Sequence, residues 1–138
     1  MKKVMIKIRG TQGLGDDTSV IEFATEGTLR RQGDDFILSY FDNSVVENEK
    51  VKTTLTASAK SVILERSGAI KSKLFIEKGV RNNCFYSVPE GSLTLGIYGK
   101  DVSHNLTESG GKINMVYTLD ADLNLISENA VEIKVTGR

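Results

Sequence analysis

Residues 62–100 read Val62-Ile63-Leu64-Glu65-Arg66-Ser67-Gly68, then Ile70-Lys71-Ser72-Lys73-Leu74-Phe75-Ile76-Glu77-Lys78-Gly79, then Cys84-Phe85-Tyr86-Ser87-Val88-Pro89-Glu90-Gly91, then Leu93-Thr94-Leu95-Gly96-Ile97-Tyr98-Gly99-Lys100. Four short runs rich in β-branched, aromatic and aliphatic residues are separated by turn signals at Ser67-Gly68, residues 79–83 and Pro89-Glu90-Gly91. Short apolar runs punctuated by Gly, Pro and Asn spell a β-meander.

Outward from this stretch the same rhythm holds. Val4, Ile6 and Ile8 alternate with Lys3, Lys7 and Arg9, which predicts a half-buried first strand. Residues 10–18 read as a loop long enough to bridge the mouth of a barrel. Its Gly10, Gly13 and Gly15 match neither dinucleotide nor P-loop spacing. Residues 19–29 form a second strand, with Ile21 and Phe23 opposite Glu22 and Glu26, and Gly33-Asp34 turns into a third run at residues 36–41. Residues 42–50 read as a polar connection. Val51, Thr53, Leu55 and Ala57 then alternate with Lys52, Thr54 and Thr56. After the meander come a loop over residues 101–111 and a strand carrying Ile113, Met115, Tyr117 and Leu119 on one face. The last run places Leu125, Val131, Ile133 and Val135 on one face, with a bulge expected at residues 127–129.

No window carries apolar residues at helical spacing. Nine or ten strands joined by regular turns indicate a single all-β antiparallel domain spanning residues 1–138. Its edges are best managed by closure into an up-and-down barrel, with a β-sandwich as the alternative. At 138 residues the chain is long enough for one core.

Lys+Arg and Asp+Glu both count 18, ten of each in residues 1–69 and eight of each in residues 70–138. That balance argues against nucleic-acid binding, which needs a basic footprint, and eases self-association. Lys71, Lys73, Lys78 and Arg81 form the nearest thing to a basic cluster. The single Cys84 excludes an internal disulfide or a cysteine-based zinc site. Charges recur too early after Met1 for a secretory leader, and no apolar run approaches the ~20 residues of a helical membrane span, so a cytoplasmic protein without membrane association is expected.

Ser39-Tyr40, Leu64-Glu65-Arg66-Ser67-Gly68, Gly79, Phe85-Tyr86, Pro89-Glu90-Gly91, and Gly111 with Val116-Tyr117 follow one another in an order that resembles the YwiB-like bacterial proteins, the domain of unknown function 1934 family. The resemblance runs from Ile6 to the final strand and implies a calycin-type barrel, similar to lipocalins and fatty-acid-binding proteins, in a bacterial cytoplasm. It carries no catalytic residues. The packed helix of lipocalins and the helical lid of fatty-acid-binding proteins have no counterpart pattern here.

Arg66 shares a strand face with Val62 and Leu64. If that face is internal, its guanidinium enters the barrel and is able to grip a carboxylate or phosphate while apolar walls take the tail. The alternatives are a side chain that reaches solvent at the strand's end, or one paired with an internal carboxylate. Tyr40, Tyr86, Tyr98 and Tyr117 are candidate hydroxyl partners for such a ligand, with Tyr117 favoured by its apolar neighbours Met115 and Leu119; packing alone is the commoner use of a strand tyrosine. His104 has no second histidine to share a metal and reads as a solvated loop residue, while Cys84 reads as a small packed side chain. Asp16-Asp17 and Asp34-Asp35 are turn formers.

These features favour a binding module that holds a small apolar or amphipathic molecule, with no cofactor and no metal. The next reading is an interaction protein, itself able to homo-oligomerise, whose barrel is filled by side chains. An enzyme ranks last, because no nucleophile–base pair or metal cluster stands in the sequence.

Overall fold

The computed structural model describes residues 2–14, 17–46, 49–68, 71–88 and 91–137, without the side chains of residues 14, 17, 42–46, 49–50, 86–88 and 93. Ten strands follow in order: β1 (Lys2–Leu14), β2 (Asp17–Gln32), β3 (Asp35–Val46), β4 (Glu49–Ala57), β5 (Ser61–Gly68), β6 (Lys71–Glu77), β7 (Arg81–Val88), β8 (Gly91–His104), β9 (Gly110–Ala121) and β10 (Asn124–Gly137). Each pairs antiparallel with its neighbours in sequence, and β1 pairs with β10 from Val4↔Gly137 to Gly13↔Glu128, closing the barrel. Closure removes the free edges that an open sheet of this length would expose.

Period-two alternation sorts the side chains as the sequence predicts. Val4, Ile6, Leu38, Leu55, Val62, Ile76, Ile97 and Ile113 are fully or almost fully buried. In β6 buried and exposed residues alternate without a break. The register adds something the alternation does not contain. Leu29, Leu38, Leu55, Leu64 and Leu74 face one another in turn across β2, β3, β4, β5 and β6, a continuous leucine row on the inner wall. One end of the barrel is filled by this row with Val4, Phe36, Leu106 and Val135.

Three predicted connections are strand over much of their length. Residues 10–14 and 17–18 are paired strand and not a bridge across the barrel mouth: the β1–β2 ladder continues through Gly10↔Ile21 and Gln12↔Ser19 to Leu14↔Asp17, with residues 15 and 16 outside the described residues. Much of the polar stretch 42–50 likewise belongs to β3 and β4, with a register shift between Asp42 and Val46. Strand β8 runs on to His104, leaving residues 105–109 as the connection to β9. In a long hairpin the backbone ladder sustains pairing whatever the side chains, so polar and glycine-rich residues remain in strand. The bulge in β10 lies between Leu125 and Ser127, just ahead of its predicted position. It turns Leu125 outward, whereas Ser127 and Asn129 stay in step with the inward-facing Val131, Ile133 and Val135.

The wall is weakest between β6 and β7. Their ladder holds from Lys71↔Ser87 to Lys73↔Phe85 and resumes only at the Glu77↔Val80 bridge. Residues 74–76 therefore face residues 81–84, one residue more on β7, and the Phe75 N–H donates to Cys84 Sγ at 3.3 Å instead of to a carbonyl. The turn is tied down elsewhere: Gly79 N–H donates to the Gly99 carbonyl (2.8 Å), Gly99 N–H to that of Val80 (3.3 Å) and Lys78 N–H to that of Lys60 (3.0 Å). A Cβ at Gly99 would collide with the Glu77 carbonyl, so this close approach requires glycine.

On the outer face Arg81 reaches across Gly96 to Asp120, donating from Nε to Oδ2 at 3.0 Å and from Nη2 to Oδ1 at 2.6 Å. This fork ties β7 to β9 over the intervening β8. Lys73 and Lys78 meet Glu65 (3.8 Å) and Asp101 (3.7 Å), so three of the four cations in the basic cluster face a carboxylate.

Candidate functional site

The inner face of β5 carries Val62, Leu64 and Arg66, and the barrel places that face inward. Arg66 therefore points into the lumen, not to solvent at the strand's end. It lines a cavity of about 230 Å³ at the end of the barrel left open by the core. The walls are apolar: Ile8, Phe23, Leu55, Leu64, Ile76, Met115, Val131 and Ile133. Ile21 also lines it while being 59% exposed, which puts the mouth beside the β1–β2 hairpin.

Register builds the polar part. Tyr40, Thr53, Arg66 and Ser72 are successive cross-strand partners on β3, β4, β5 and β6, one step along the barrel from the leucine row. Directly opposed residues in an antiparallel pair stand about 4.5–5.5 Å apart, so Arg66 has a hydroxyl on either side. Thr53 is completely buried and Ser72 nearly so. Thr53 Oγ1, Arg66 Nε and Ser72 Oγ are buried without a hydrogen-bond partner, and among the described residues they are the only side-chain polar atoms in that condition. Three orphans in one row are unusual, because a buried polar group left unpaired costs roughly 1–3 kcal/mol. Among the described residues no carboxylate pairs with Arg66, which removes the internal ion pair as an explanation for its position.

A second polar row faces the first. Tyr117 of β9 stands opposite Asn129 of β10, which stands opposite Gln12 of β1, and all three line the cavity. Asn129 Nδ2 donates to Ser127 Oγ at 3.1 Å. Burial pushes the Tyr117 hydroxyl above its ordinary pKa, with the Arg66 cation pulling the other way, so at neutral pH Tyr117 presents a protonated hydroxyl. Tyr40 is buried, its ring tilted against Phe23 at 6.2 Å between centroids.

Of the residues predicted from sequence, Arg66, Tyr117 and Tyr40 converge on the cavity. The Tyr86 backbone continues the row opposite Ser72, but its side chain lies outside the described residues. Thr53, Ser72 and Asn129 were not predicted. The available signal was parity: Thr53 alternates in step with Val51 and Leu55, and Ser72 with Leu74 and Ile76. His104 is not a solvated loop residue. It ends β8, its Nδ1 accepts the Leu106 N–H at 3.2 Å, and its ring meets Phe36 edge-on at 6.0 Å. Cys84 is a packed, buried thiol as predicted. Asp16 and the side chain of Asp17 lie outside the described residues.

Among the described residues no group of three His, Cys, Asp or Glu side chains stands close enough to hold a metal ion. No helix among them is long and apolar enough to cross a membrane.

Comparison with known proteins agrees with this architecture. The chain is similar to an uncharacterised β-barrel protein, YwiB, of Bacillus subtilis (strain 168), with 31% identity over 100 residues covering 72% of this chain and 69% of that protein. The crystal structure of the B. subtilis ywiB protein superposes with a TM-score of 0.89 at 24% identity, over 99% of this chain and 92% of the other, a likeness of fold. The model of the domain of unknown function DUF1934 matches residues 6–133, and the chain belongs to that family.

Proposed function

We propose that this protein is a small cytoplasmic barrel of calycin type that holds an apolar or amphipathic small molecule in its open end, without catalysing a reaction. The observation that carries the reading is the cavity of about 230 Å³, walled by aliphatic and aromatic side chains and entered by one guanidinium. Apolar walls with a few convergent polar groups are the usual composition of a small-molecule site. Tyrosine, asparagine and arginine side chains at its edge are groups that orient and hold. A lone buried thiol, Cys84, suits a reducing compartment.

The test is native mass spectrometry of gently purified protein, compared with the same sample after denaturation. Excess mass lost on denaturation supports the carrier reading; the bare polypeptide mass under both conditions refutes it. Self-association is the second reading, favoured by the exposed apolar side chains Val20, Leu123, Leu125 and Ile126. The same spectrum reads the oligomeric state directly.

A further inference from the structure

Resting on the carrier reading, we infer that the molecule held in the barrel is a small monocarboxylate, its head group on Arg66 and its single ring or short chain among Phe23, Leu64 and Met115.

Three features of the site select that chemistry. The first is donor geometry. Arg66 brings the guanidinium fork to the cavity with its Nε buried and unpaired, and Thr53 and Ser72 flank it in the same cross-strand row without lining the cavity themselves. A carboxylate accepts at both oxygens and donates nothing, and its plane matches the guanidinium fork. A neutral hydroxyl brings no charge to the guanidinium and cannot meet its fork with two oxygens.

The second is charge. Among the described residues lining the cavity, Arg66 is the one that bears a charge. A single negative charge balances it. A phosphate head group, near a dianion at neutral pH, would bring a second charge into an apolar-walled space with no cation to meet it.

The third is volume. A cavity of 150 Å³ lined by apolar side chains accommodates benzene, and this one measures about 230 Å³. The difference leaves room for a head group beside one ring. A long acyl chain would have to leave through the mouth past Ile21.

Isothermal titration of refolded, ligand-free protein tests the assignment. The probes are benzoate and octanoate, with benzyl alcohol and octanol as uncharged counterparts and inorganic phosphate as the competing anion. The carboxylates should bind at least about tenfold more tightly than the matching alcohols. Arg66→Met should erase that preference while leaving the alcohols unchanged. Arg66→Lys, which keeps the charge and loses the fork, should weaken the carboxylates alone and serves if the methionine variant does not fold. Equal binding of acids and alcohols to the wild type, or tighter binding of phosphate, overturns the head-group assignment and leaves the carrier reading standing. Failure of every probe together with a bare mass in the native spectrum overturns both.

Discussion

Replacing Arg66 by methionine should stabilise the ligand-free protein. The Arg66 Nε is buried with no partner, and an unsatisfied donor in that position costs about 1–3 kcal/mol. The guanidinium end is only partly enclosed, since the residue as a whole is half-buried, so the lower part of that range applies. Methionine keeps an unbranched stem of similar length in a space walled by Leu55, Leu64 and Ile76, and it removes the orphaned donor. The expected gain is about 1 kcal/mol, which for a chain of this size raises Tm by roughly 4 °C. Ligand reverses the order. At a carboxylate concentration about a hundredfold above the wild-type dissociation constant, ligand adds about 2.7 kcal/mol to the wild type and only about 1.4 kcal/mol to a variant that binds tenfold more weakly. Thermal unfolding followed by circular dichroism, on refolded protein with and without octanoate, reads both effects. A ligand-free Arg66→Met protein that melts several degrees below the wild type would refute the reasoning, because it would show that the guanidinium is tied into the fold.

Other expectations concern the wall of the barrel. Gly99→Ala should lower stability by about 1–3 kcal/mol, because the new methyl group meets the Glu77 backbone carbonyl and no side chain is available to move aside; urea unfolding should show a lower midpoint with an unchanged slope. The Arg81 fork holds the Asp120 carboxyl below the ordinary carboxylate range, helped by the Leu123 N–H. Its folded pKa is thus lower than its unfolded one. The stabilisation is present above the unfolded value and is lost as pH falls through the folded one. Asp120→Asn should consequently flatten the acid limb of the stability–pH curve and differ most from the wild type near neutrality. Cys84 is buried, which pushes its thiol pKa up against the opposing Phe75 N–H, so a thiol reagent should label the native protein far more slowly than the urea-unfolded chain. Native labelling as fast as unfolded labelling would mean that the β6–β7 seam opens freely.

Side-chain alternation alone groups residues by face in β1, β4, β5 and β9, because the two-residue period of a strand is written directly in Val4-Ile6-Ile8, Val51-Thr53-Leu55, Val62-Leu64-Arg66 and Ile113-Met115-Tyr117. Alternation put Arg66 on the face of Val62 and Leu64, and the closed barrel decided that this face is internal up to Arg66 itself. The extended hairpins were not legible in the sequence. Residues 10–14 and 42–46 stay in strand through ladder hydrogen bonds to their neighbours, and such bonds leave no mark on side-chain type. The bulge between Leu125 and Ser127 turns Leu125 outward, out of step with Asn129, which keeps the parity of Val131 and Ile133 and reaches the cavity.

The sequence by itself therefore determined an all-β chain, which residues share a face along several strands, and Arg66 as the cation to place. Tertiary structure alone decided that β1 meets β10, that five leucines align around one wall, and that Thr53 and Ser72 flank Arg66 in the next row. The reason is physical. Facing is a local property with a period of two residues, whereas register is set by turns, bulges and closure, which are shared among strands distant in sequence.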